Sequence, residues 1–325
     1  MFYLRIIAGF ILLMIALHEI YRDLFQPSGQ GSFSKMIGRA VFGTMKRVPA
    51  LLPSSGPLAF FTIIGCWVLV ILCGFALIYS ALYPAAFHIT VQSEKNAPHL
   101  FVTALYLSLE ILTTLGIGDI IPQADPLRFV VAGEALIGVV LFSATISWFV
   151  LLYPALARLR TLAQRANILC EASRQVGRQV ISGNSESLLS AFALDVVQVR
   201  VDFVHYPVIY YFHSGSKHAS LPDALSLLSR FAEEGIKEQN HESVRLAAAG
   251  LNAGLADLAH LLGTMFVHAD PNDPIAVFRA YAADHLSRAA DPCQRGARSR
   301  LQNGECAPQE LAGRKAPHLA PGRNK

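Results

Sequence analysis

Between His99 and Pro122 the chain reads HLFVTALYLSLEILTTLGIGDIIP, an apolar stretch that runs into a short segment with two glycines. Gly116 and Gly118 stand on either side of one bulky residue, Ile117. Because glycine has no Cβ, both positions can take the positive φ angles that other residues avoid. Successive carbonyl groups can point towards one axis only if alternate residues take such angles. The sequence therefore favours a backbone segment whose carbonyl groups share one side.

This stretch resembles the pore helix and selectivity filter of the potassium channel family, whose members often read T-V-G-Y-G-D after A-L-Y-F-S-x-x-x-x-T. Here A-L-Y-L-S at residues 104–108 and the pair Thr113 and Thr114 match that frame. Leu115 replaces the usual valine, and Ile117 replaces the usual tyrosine. A T-x-G-x-G-D motif alone is a weak signal. The apolar helices predicted on both sides strengthen the resemblance, which covers residues 57–157.

The resemblance implies that K⁺ is the transported ion and that rings of backbone carbonyls replace its hydration water. One chain supplies one wall of such a filter, so four identical chains must surround a common axis as a homotetramer. The implied filter residues are Thr114, Leu115, Gly116, Ile117 and Gly118, of which the first four supply the carbonyls that bind K⁺. Thr113, Glu110 and Asp119 are implied as filter support.

Two of the implied support residues carry carboxyl groups. In relatives with a glutamate at the position of Glu110, this residue pairs with the aspartate that ends the filter, here Asp119. Two carboxyl groups behind a narrow filter cannot both ionise cheaply, so we expect one of them to hold a proton that it shares with the other. The alternative is that Glu110 faces water or a different partner.

Ile117 has no hydroxyl group with which to anchor the filter. Tyr106 and Leu107 stand where some relatives carry an aromatic pair, and we expect the wall around the filter to consist of apolar packing only. The carbonyl sites depend on the backbone, so K⁺ remains the expected ion. How strongly the filter discriminates against Na⁺ stays open.

The composition indicates a membrane protein. Of the 325 residues, 53% are hydrophobic and 15% are charged, against about 25% charged in average soluble domains. The segments 57–83 and 135–157 contain no charged residue and are each long enough to cross a bilayer. Basic residues precede the first segment and follow the second, which places both of these ends in the cytoplasm: Lys35, Arg39, Lys46 and Arg47, then Arg158, Arg160 and Arg165.

The predicted fold is an all-α membrane protein with an all-α cytosolic domain. We expect an N-terminal membrane helix at 1–22, a basic cytosolic or interfacial segment at 23–56, a pore domain at 57–157, a cytosolic helical domain at 158–290 and a disordered tail at 291–325. Within the pore domain we expect the outer helix at 57–83, the pore helix at 101–112, the filter at 113–119 and the inner helix at 126–157.

Two of these segments have alternatives. Residues 1–22 could also form an interfacial anchor, and a signal-peptide core competes because the apolar run is short. Residues 34–47 fit a basic amphipathic helix on the inner leaflet, with Met36, Ile37, Ala40, Val41 and Met45 on its apolar face. A solvated charged loop fits them equally well.

The inner helix contains two candidates for a gating hinge. Family members often carry a glycine in this region, and Gly138, four residues after Glu134, is the first candidate. Gly138 could instead serve only close packing against the pore helix. Pro154 lacks a backbone donor and is expected to bend the helix near its cytoplasmic end.

Several functional classes lack their sequence signals. No G-x-G-x-x-G follows a predicted strand, no helix carries arginine at every third position, and the histidines and cysteines lack metal-site spacing. We therefore expect no enzyme, no cofactor other than the transported K⁺, and no nucleic-acid partner.

The predicted function is a homotetrameric K⁺-selective channel of the plasma membrane, with its C-terminal domain in the cytoplasm. Its expected partners are further copies of itself, the lipid bilayer, K⁺ and an unknown cytosolic ligand or partner. The alternatives are a weakly selective cation channel and a non-conducting membrane receptor or adaptor whose pore unit only oligomerises.

Overall fold

The computed structural model describes residues 1–25, 31–89, 100–177, 179–181, 185–213 and 220–285. In these ranges the regular structure is almost entirely helical, which confirms the predicted fold class. The α-helices are α1 (Phe2–Phe25), α2 (Ser32–Met45), α3 (Ser55–Leu82), α4 (Leu100–Leu112), α5 (Asp125–Val176), α6 (Glu186–His205), α7 (Leu221–Ile236), α8 (Glu242–Met265) and α9 (Pro274–His285). Two 3₁₀-helices (Pro49–Ser54 and Pro207–Tyr211) and two short strands, β1 (Phe87–Ile89) and β2 (Ile120–Pro122), complete the described elements. The expected tail at 291–325 lies outside the described residues.

Four of the described helices are long and apolar enough to cross a membrane. They are α1, α3, α5 and α8. The expected outer and inner helices correspond to α3 and α5, and the expected pore helix corresponds to α4. Helix α8 is surrounded by α6, α7 and α9, so other helices cover much of its apolar surface.

Helix α1 lies antiparallel to the outer helix α3. Arg5, near the start of α1, donates from Nη1 to the carbonyl of Ser80 near the end of α3, at 3.3 Å. One turn later Gly9 approaches Gly74 so closely that a Cβ on Gly9 would lie 2.5 Å from the Gly74 carbonyl oxygen. Leu13 is buried further along the same contact. This arrangement supports the membrane-helix interpretation of residues 1–22 over the interfacial anchor.

Large aromatic rings fill the space between α3 and α5. The Trp67 and Trp148 rings stack at 5.9 Å, and Phe60 contacts Trp148 at 5.0 Å and Phe149 at 5.5 Å, all between ring centroids. Trp67 and Phe60 are almost completely buried. Aromatic side chains of this size bury large areas. They fill a wide gap between the two helix backbones and hold the helices together by packing.

Helix α5 continues well beyond the residue at which the sequence placed the end of the inner helix. It runs through Ala157 without a break to Val176 and ends at Gly177, which has a φ of 66°. With 52 residues it measures about 78 Å, more than twice the thickness of a bilayer core of about 30 Å. Pro154 removes one backbone donor and does not end the helix. The lower half of α5 therefore connects the membrane part directly to helices α6–α9.

The lower part of α5 is attached to α6 by ion pairs. Arg158 donates to both carboxylate oxygens of Asp202, from Nε at 2.7 Å and from Nη2 at 2.6 Å, and the Asp202 side chain is only 3% exposed. This pairing raises the pKa of Arg158. About two helical turns further along α5, Arg165 pairs with Asp195. A bidentate pair fixes both distance and orientation, so the base of the inner helix and α6 move together.

The apolar face of α2 packs on protein. Phe42 is buried against the rings of Tyr210 and Tyr211, while Met36, which the sequence assigned to that face, is exposed. Arg39 donates to the carbonyl of Met265 at 3.0 Å. Ile37, which the sequence assigned to the same face, is buried, so the predicted apolar face packs on protein in part. The position of this helix on the inner leaflet remains a prediction. The face that α2 buries contains Phe42, an aromatic residue that the sequence reasoning left out.

The contact between α1 and α3 can be tested by adding a methyl group. We expect Gly9→Ala to lower the stability of the purified protein in detergent by about 1–3 kcal/mol, because its Cβ meets backbone. Thermal unfolding measures the effect. Gly65→Ala is the matched control, since a Cβ at Gly65 meets nothing within 4 Å. Equal unfolding temperatures for the two variants would contradict the packing.

Candidate ion-conduction site

Backbone hydrogen bonds connect the end of the pore helix α4 to the candidate filter. The N–H groups of Thr113, Thr114 and Leu115 donate to the carbonyls of Leu109, Ile111 and Glu110, at 3.1, 2.9 and 2.9 Å. The Thr113 hydroxyl also donates to the Leu109 carbonyl, at 2.7 Å. These bonds tie the first filter residues to the last turn of the helix. Its carbonyl end, with a partial negative charge, therefore lies at the start of the filter.

The backbone of the candidate filter has positive φ angles at every second residue. Thr114, Gly116 and Gly118 have φ values of 57°, 61° and 80°. The sequence predicted this conformation for the two glycines. It did not predict it for Thr114, which among the described residues is the sole non-glycine with a positive φ. A β-branched residue in this region costs on the order of 1–3 kcal/mol, so the surroundings must hold Thr114 in place.

Four carbonyl groups of this segment lack a donor among the residues that the structure describes. Among the described residues, no N–H or O–H group donates to the carbonyl oxygens of Thr114, Leu115, Gly116 or Ile117. The side chains of Leu115 and Ile117 are 66% and 58% exposed in the single chain. A row of carbonyl oxygens without donors is available to coordinate a cation, and one chain supplies one side of such a site.

Polar groups brace the filter from behind. Glu110 is buried, and its Oε1 accepts a hydrogen bond from the backbone N–H of Gly118 at 3.0 Å. The Tyr106 hydroxyl donates to Asp119 Oδ2 at 3.1 Å. The expectation of an apolar wall around the filter is therefore wrong, because Tyr106 supplies the donor that Ile117 lacks. Tyr106 and Glu110 lie one turn apart on α4, so one face of that helix makes both contacts.

Each carboxyl group keeps one oxygen without a donor. These atoms are Glu110 Oε2 and Asp119 Oδ1, and both are buried. A buried acceptor without a donor is costly, and a proton shared by the two groups would give one of them a donor. The shared proton remains a prediction. The open alternative of a different partner for Glu110 is realised in part, since Gly118 occupies its other oxygen.

A two-stranded sheet follows the candidate filter and holds its C-terminal end. Strand β2 follows the filter directly and pairs antiparallel with β1, with Ile120 opposite Ile89 and Pro122 opposite Phe87. The N–H of Gln123 extends the pairing by donating to the carbonyl of Ala86 at 3.0 Å. The sheet connects the filter exit to the segment that follows the outer helix.

A second buried carboxyl group joins the three helices around the filter. Glu134 on α5 has no exposed surface, and it accepts hydrogen bonds from the hydroxyls of Tyr79 on α3 and Ser108 on α4, both at 2.5 Å. Sequence reasoning mentioned Glu134 only for its spacing to Gly138. A carboxylate at the start of an otherwise uncharged helical run was the signal available, because such residues are costly and need partners.

The two hinge candidates lie in different surroundings. A Cβ on Gly138 would lie 2.0 Å from the carbonyl oxygen of Leu112, the last residue of α4. This contact supports the close-packing interpretation of Gly138. Pro154 is exposed and lies within the continuous helix α5. A hinge at either residue remains a prediction.

Residues 59–152, which contain α4, the candidate filter, most of α3 and the first half of α5, match a family model described as ion channel. This part of the chain is therefore similar to ion channels. The chain is also similar to an uncharacterized membrane protein of Bacillus subtilis (strain 168), YdjJ. The two are 20% identical over 275 residues, which cover 81% of this chain and 79% of that protein. No solved structure matches the chain.

These comparisons confirm the recognition of a two-helix ion-channel unit and the assignment to a membrane. The family match ends at residue 152, so it does not extend to the lower half of α5 or to α6–α9. The similarity to YdjJ covers more of the chain, and the name of that protein describes it as a membrane protein.

The role of Glu134 in holding the pore helix can be measured without ion flux. Glu134→Leu leaves the hydroxyls of Tyr79 and Ser108 buried without an acceptor, at a cost of about 1–3 kcal/mol for each. We expect a clearly lower unfolding temperature in detergent. Glu134→Gln should lower the unfolding temperature less, because its amide can accept a hydrogen bond from one hydroxyl and donate one to the other.

Glu171→Leu is the matched control for this change, since Glu171 lies on the same helix and is exposed. A surface substitution of this kind should stay within about 0.5 kcal/mol. If Glu134→Leu and Glu171→Leu unfold alike, Glu134 does not join the helices.

Proposed function

We propose that the protein is a homotetrameric, K⁺-selective channel of the plasma membrane, with helices α6–α9 in the cytoplasm. The observation that carries this proposal is the row of four carbonyls at Thr114–Ile117, which accept no hydrogen bond from any described residue, on a backbone with alternating positive φ. Four such rows around one axis would give rings of oxygens able to replace the hydration shell of K⁺. The protein proposed here is a channel and not an enzyme.

The surface of α5 supports an assembly of several chains. Exposed apolar residues recur on it at intervals of three and four: Val139, Phe142, Ile146, Val150 and Tyr153. Such a stripe needs apolar surroundings, which neighbouring subunits and lipid supply together in a tetrameric channel. The basic residues before α3 and after the apolar part of α5 support the cytoplasmic position of α6–α9.

A weakly selective cation channel is the second candidate. The observation that favours it is Ile117, whose side chain has no group to anchor the filter on its own. The hydrogen bond from Tyr106 to Asp119 favours K⁺ selectivity, because it holds the outer filter from behind. Reversal potentials in mixed K⁺ and Na⁺ separate the two functions, since only a selective filter gives a potential that follows the K⁺ gradient.

The filter assignment is tested by Gly116→Ala and Gly118→Ala in purified protein reconstituted into liposomes. A Cβ at either residue meets no atom within 4 Å, so the change acts through its φ angle, at a cost of about 1–2 kcal/mol in each chain. We expect K⁺ flux to be abolished while the tetramer stays assembled. The control is Gly133→Ala. A Cβ at Gly133 also meets no atom within 4 Å, and the backbone there has no positive φ. Normal flux in either filter variant would refute the assignment, and no flux in the unmodified protein would favour the receptor or adaptor.

The brace by Glu110 is tested by its effect on sustained current. Glu110→Ala removes the acceptor of the Gly118 N–H, and we expect a changed decay of current or a changed steady open fraction. Glu110→Gln keeps an acceptor and should have the smaller effect. Identical currents in the two variants and in the unmodified channel would show that Glu110 does not hold the filter.

A further inference from the structure

A cavity lies where the base of the inner helix meets the helices that follow it. Helix α5 contributes Leu156, Leu159 and Arg160, just after Pro154, and α9 contributes Tyr281 and His285. His213, after the second 3₁₀-helix, and Ser220, just before α7, add polar groups to the lining. The cavity therefore touches both the helix that continues from the filter and the helices that the family match does not cover.

Arg160 is the cation of this cavity. Its neighbours Arg158 and Arg165 on α5 pair with Asp202 and Asp195. Among the described residues, no acidic side chain pairs with Arg160. A guanidinium group without a partner beside a concave surface is suited to a carboxylate or phosphate, which it can bind with two parallel hydrogen bonds.

His285 supplies a hydrogen-bond acceptor. It is 95% buried, and burial lowers the pKa of its ring to about 3, so the ring is neutral. The ring forms a hydrogen bond with the backbone of Tyr210, whereas Nε2 has no partner. In a neutral imidazole one nitrogen donates and the other carries a lone pair. The donor is therefore Nδ1, and Nε2 presents a buried lone pair without a donor.

His213 also has a buried ring nitrogen without a partner. The ring of His213 stacks on that of His285, with centroids 6.2 Å apart and planes 11° apart. Its Nδ1 is also buried without a partner, and burial lowers the pKa of His213. Two residues that line one cavity thus each have a buried polar atom without a partner. Such atoms are costly to the folded chain, and a ligand with complementary groups removes that cost.

We propose that this cavity binds a small oxyanion that also carries a hydroxyl group, as a glycerol phosphate does. The oxyanion pairs with Arg160, and the hydroxyl group donates to Nε2 of His285. Tyr281 and the two leucines of α5 enclose the carbon atoms of the ligand. The same chemistry occurs in a free metabolite and in the headgroup of a lipid such as phosphatidylglycerol.

A ligand in this position bridges α5 and α9. Its binding therefore changes the attachment of the inner helix to the helices below it. The binding itself depends only on the cavity, whereas a consequence for channel opening rests on the proposed function. An experiment that measures binding directly keeps the two claims separate.

The test is calorimetric titration of the full-length protein in phosphatidylcholine nanodiscs with glycerol 3-phosphate. We expect saturable binding that Arg160→Gln weakens by about 10- to 100-fold, the range for a lost hydrogen bond to a charged group. Arg174→Gln is the matched control on the same helix, where Arg174 is exposed and pairs with Glu171. Absence of binding, or equal binding by Arg160→Gln and the unmodified protein, would overturn the proposal.

The hydroxyl contact is tested with a second probe. Ethyl phosphate lacks a free hydroxyl group on carbon and should bind more weakly than glycerol 3-phosphate. His285→Phe should remove this difference while keeping the dependence on Arg160. If the two probes bind equally to the unmodified protein, which needs no variant to fold, His285 does not read the hydroxyl group and this part of the proposal fails.

The lipid composition of the nanodiscs shows whether the cavity binds a lipid headgroup or a free solute. If the cavity takes a headgroup, nanodiscs that contain phosphatidylglycerol should abolish the binding of glycerol 3-phosphate, and Arg160→Gln should abolish the preference for that lipid. If binding is unchanged in these nanodiscs, the cavity takes a free solute. K⁺ flux in liposomes, measured with and without the probe, then shows separately whether the occupied site affects conduction.

Discussion

The backbone of Thr114–Gly118 imposes the constraint on which the rest of the structure depends. In the described part of the chain it leaves four carbonyl groups without donors, and it holds three residues at positive φ, one of them a threonine. Both conditions are costly in isolation. A cation can offset the free carbonyls from the front, but the backbone angles must be held from behind. The contacts of Glu110 and Tyr106 with Gly118 and Asp119 do this.

Those contacts are useful only if the pore helix itself is fixed, and a second layer of hydrogen bonds achieves this. Glu134 accepts from α3 and α4 at once, while the backbone of Gly138 lies directly against the end of α4. The two carboxyl groups thus have different tasks. Glu110 acts on the filter backbone alone, whereas Glu134 joins three helices. Loss of Glu134 therefore affects stability first, and loss of Glu110 affects the filter conformation without disturbing the helix packing.

What the sequence could predict follows from the range of each interaction. Gly116 and Gly118 were found because their demand for positive φ is local, and the helix boundaries near 57, 83, 101 and 112 were found because apolar runs are local. The bonds of Glu134 were missed because their partners lie 55 and 26 residues away. The position of Thr114 at positive φ was missed because its residue type disfavours that conformation. The burial of α2 was missed because its partner surface, with Tyr210 and Tyr211, is built by distant residues.

The attachment of α5 to α6 also restricts how the inner helix can move. A bidentate pair with a buried carboxylate, Arg158 with Asp202, is costly to break, and Arg165 with Asp195 adds a second attachment. One turn before Arg158, Pro154 has already lost the backbone hydrogen bond that bending would otherwise break. Bending at Pro154 is therefore cheaper than sliding of α5 along α6. In a channel of the proposed kind, the lower part of α5 would move together with α6, and Leu156, Leu159 and Arg160 of the cavity would lie on the moving side of Pro154.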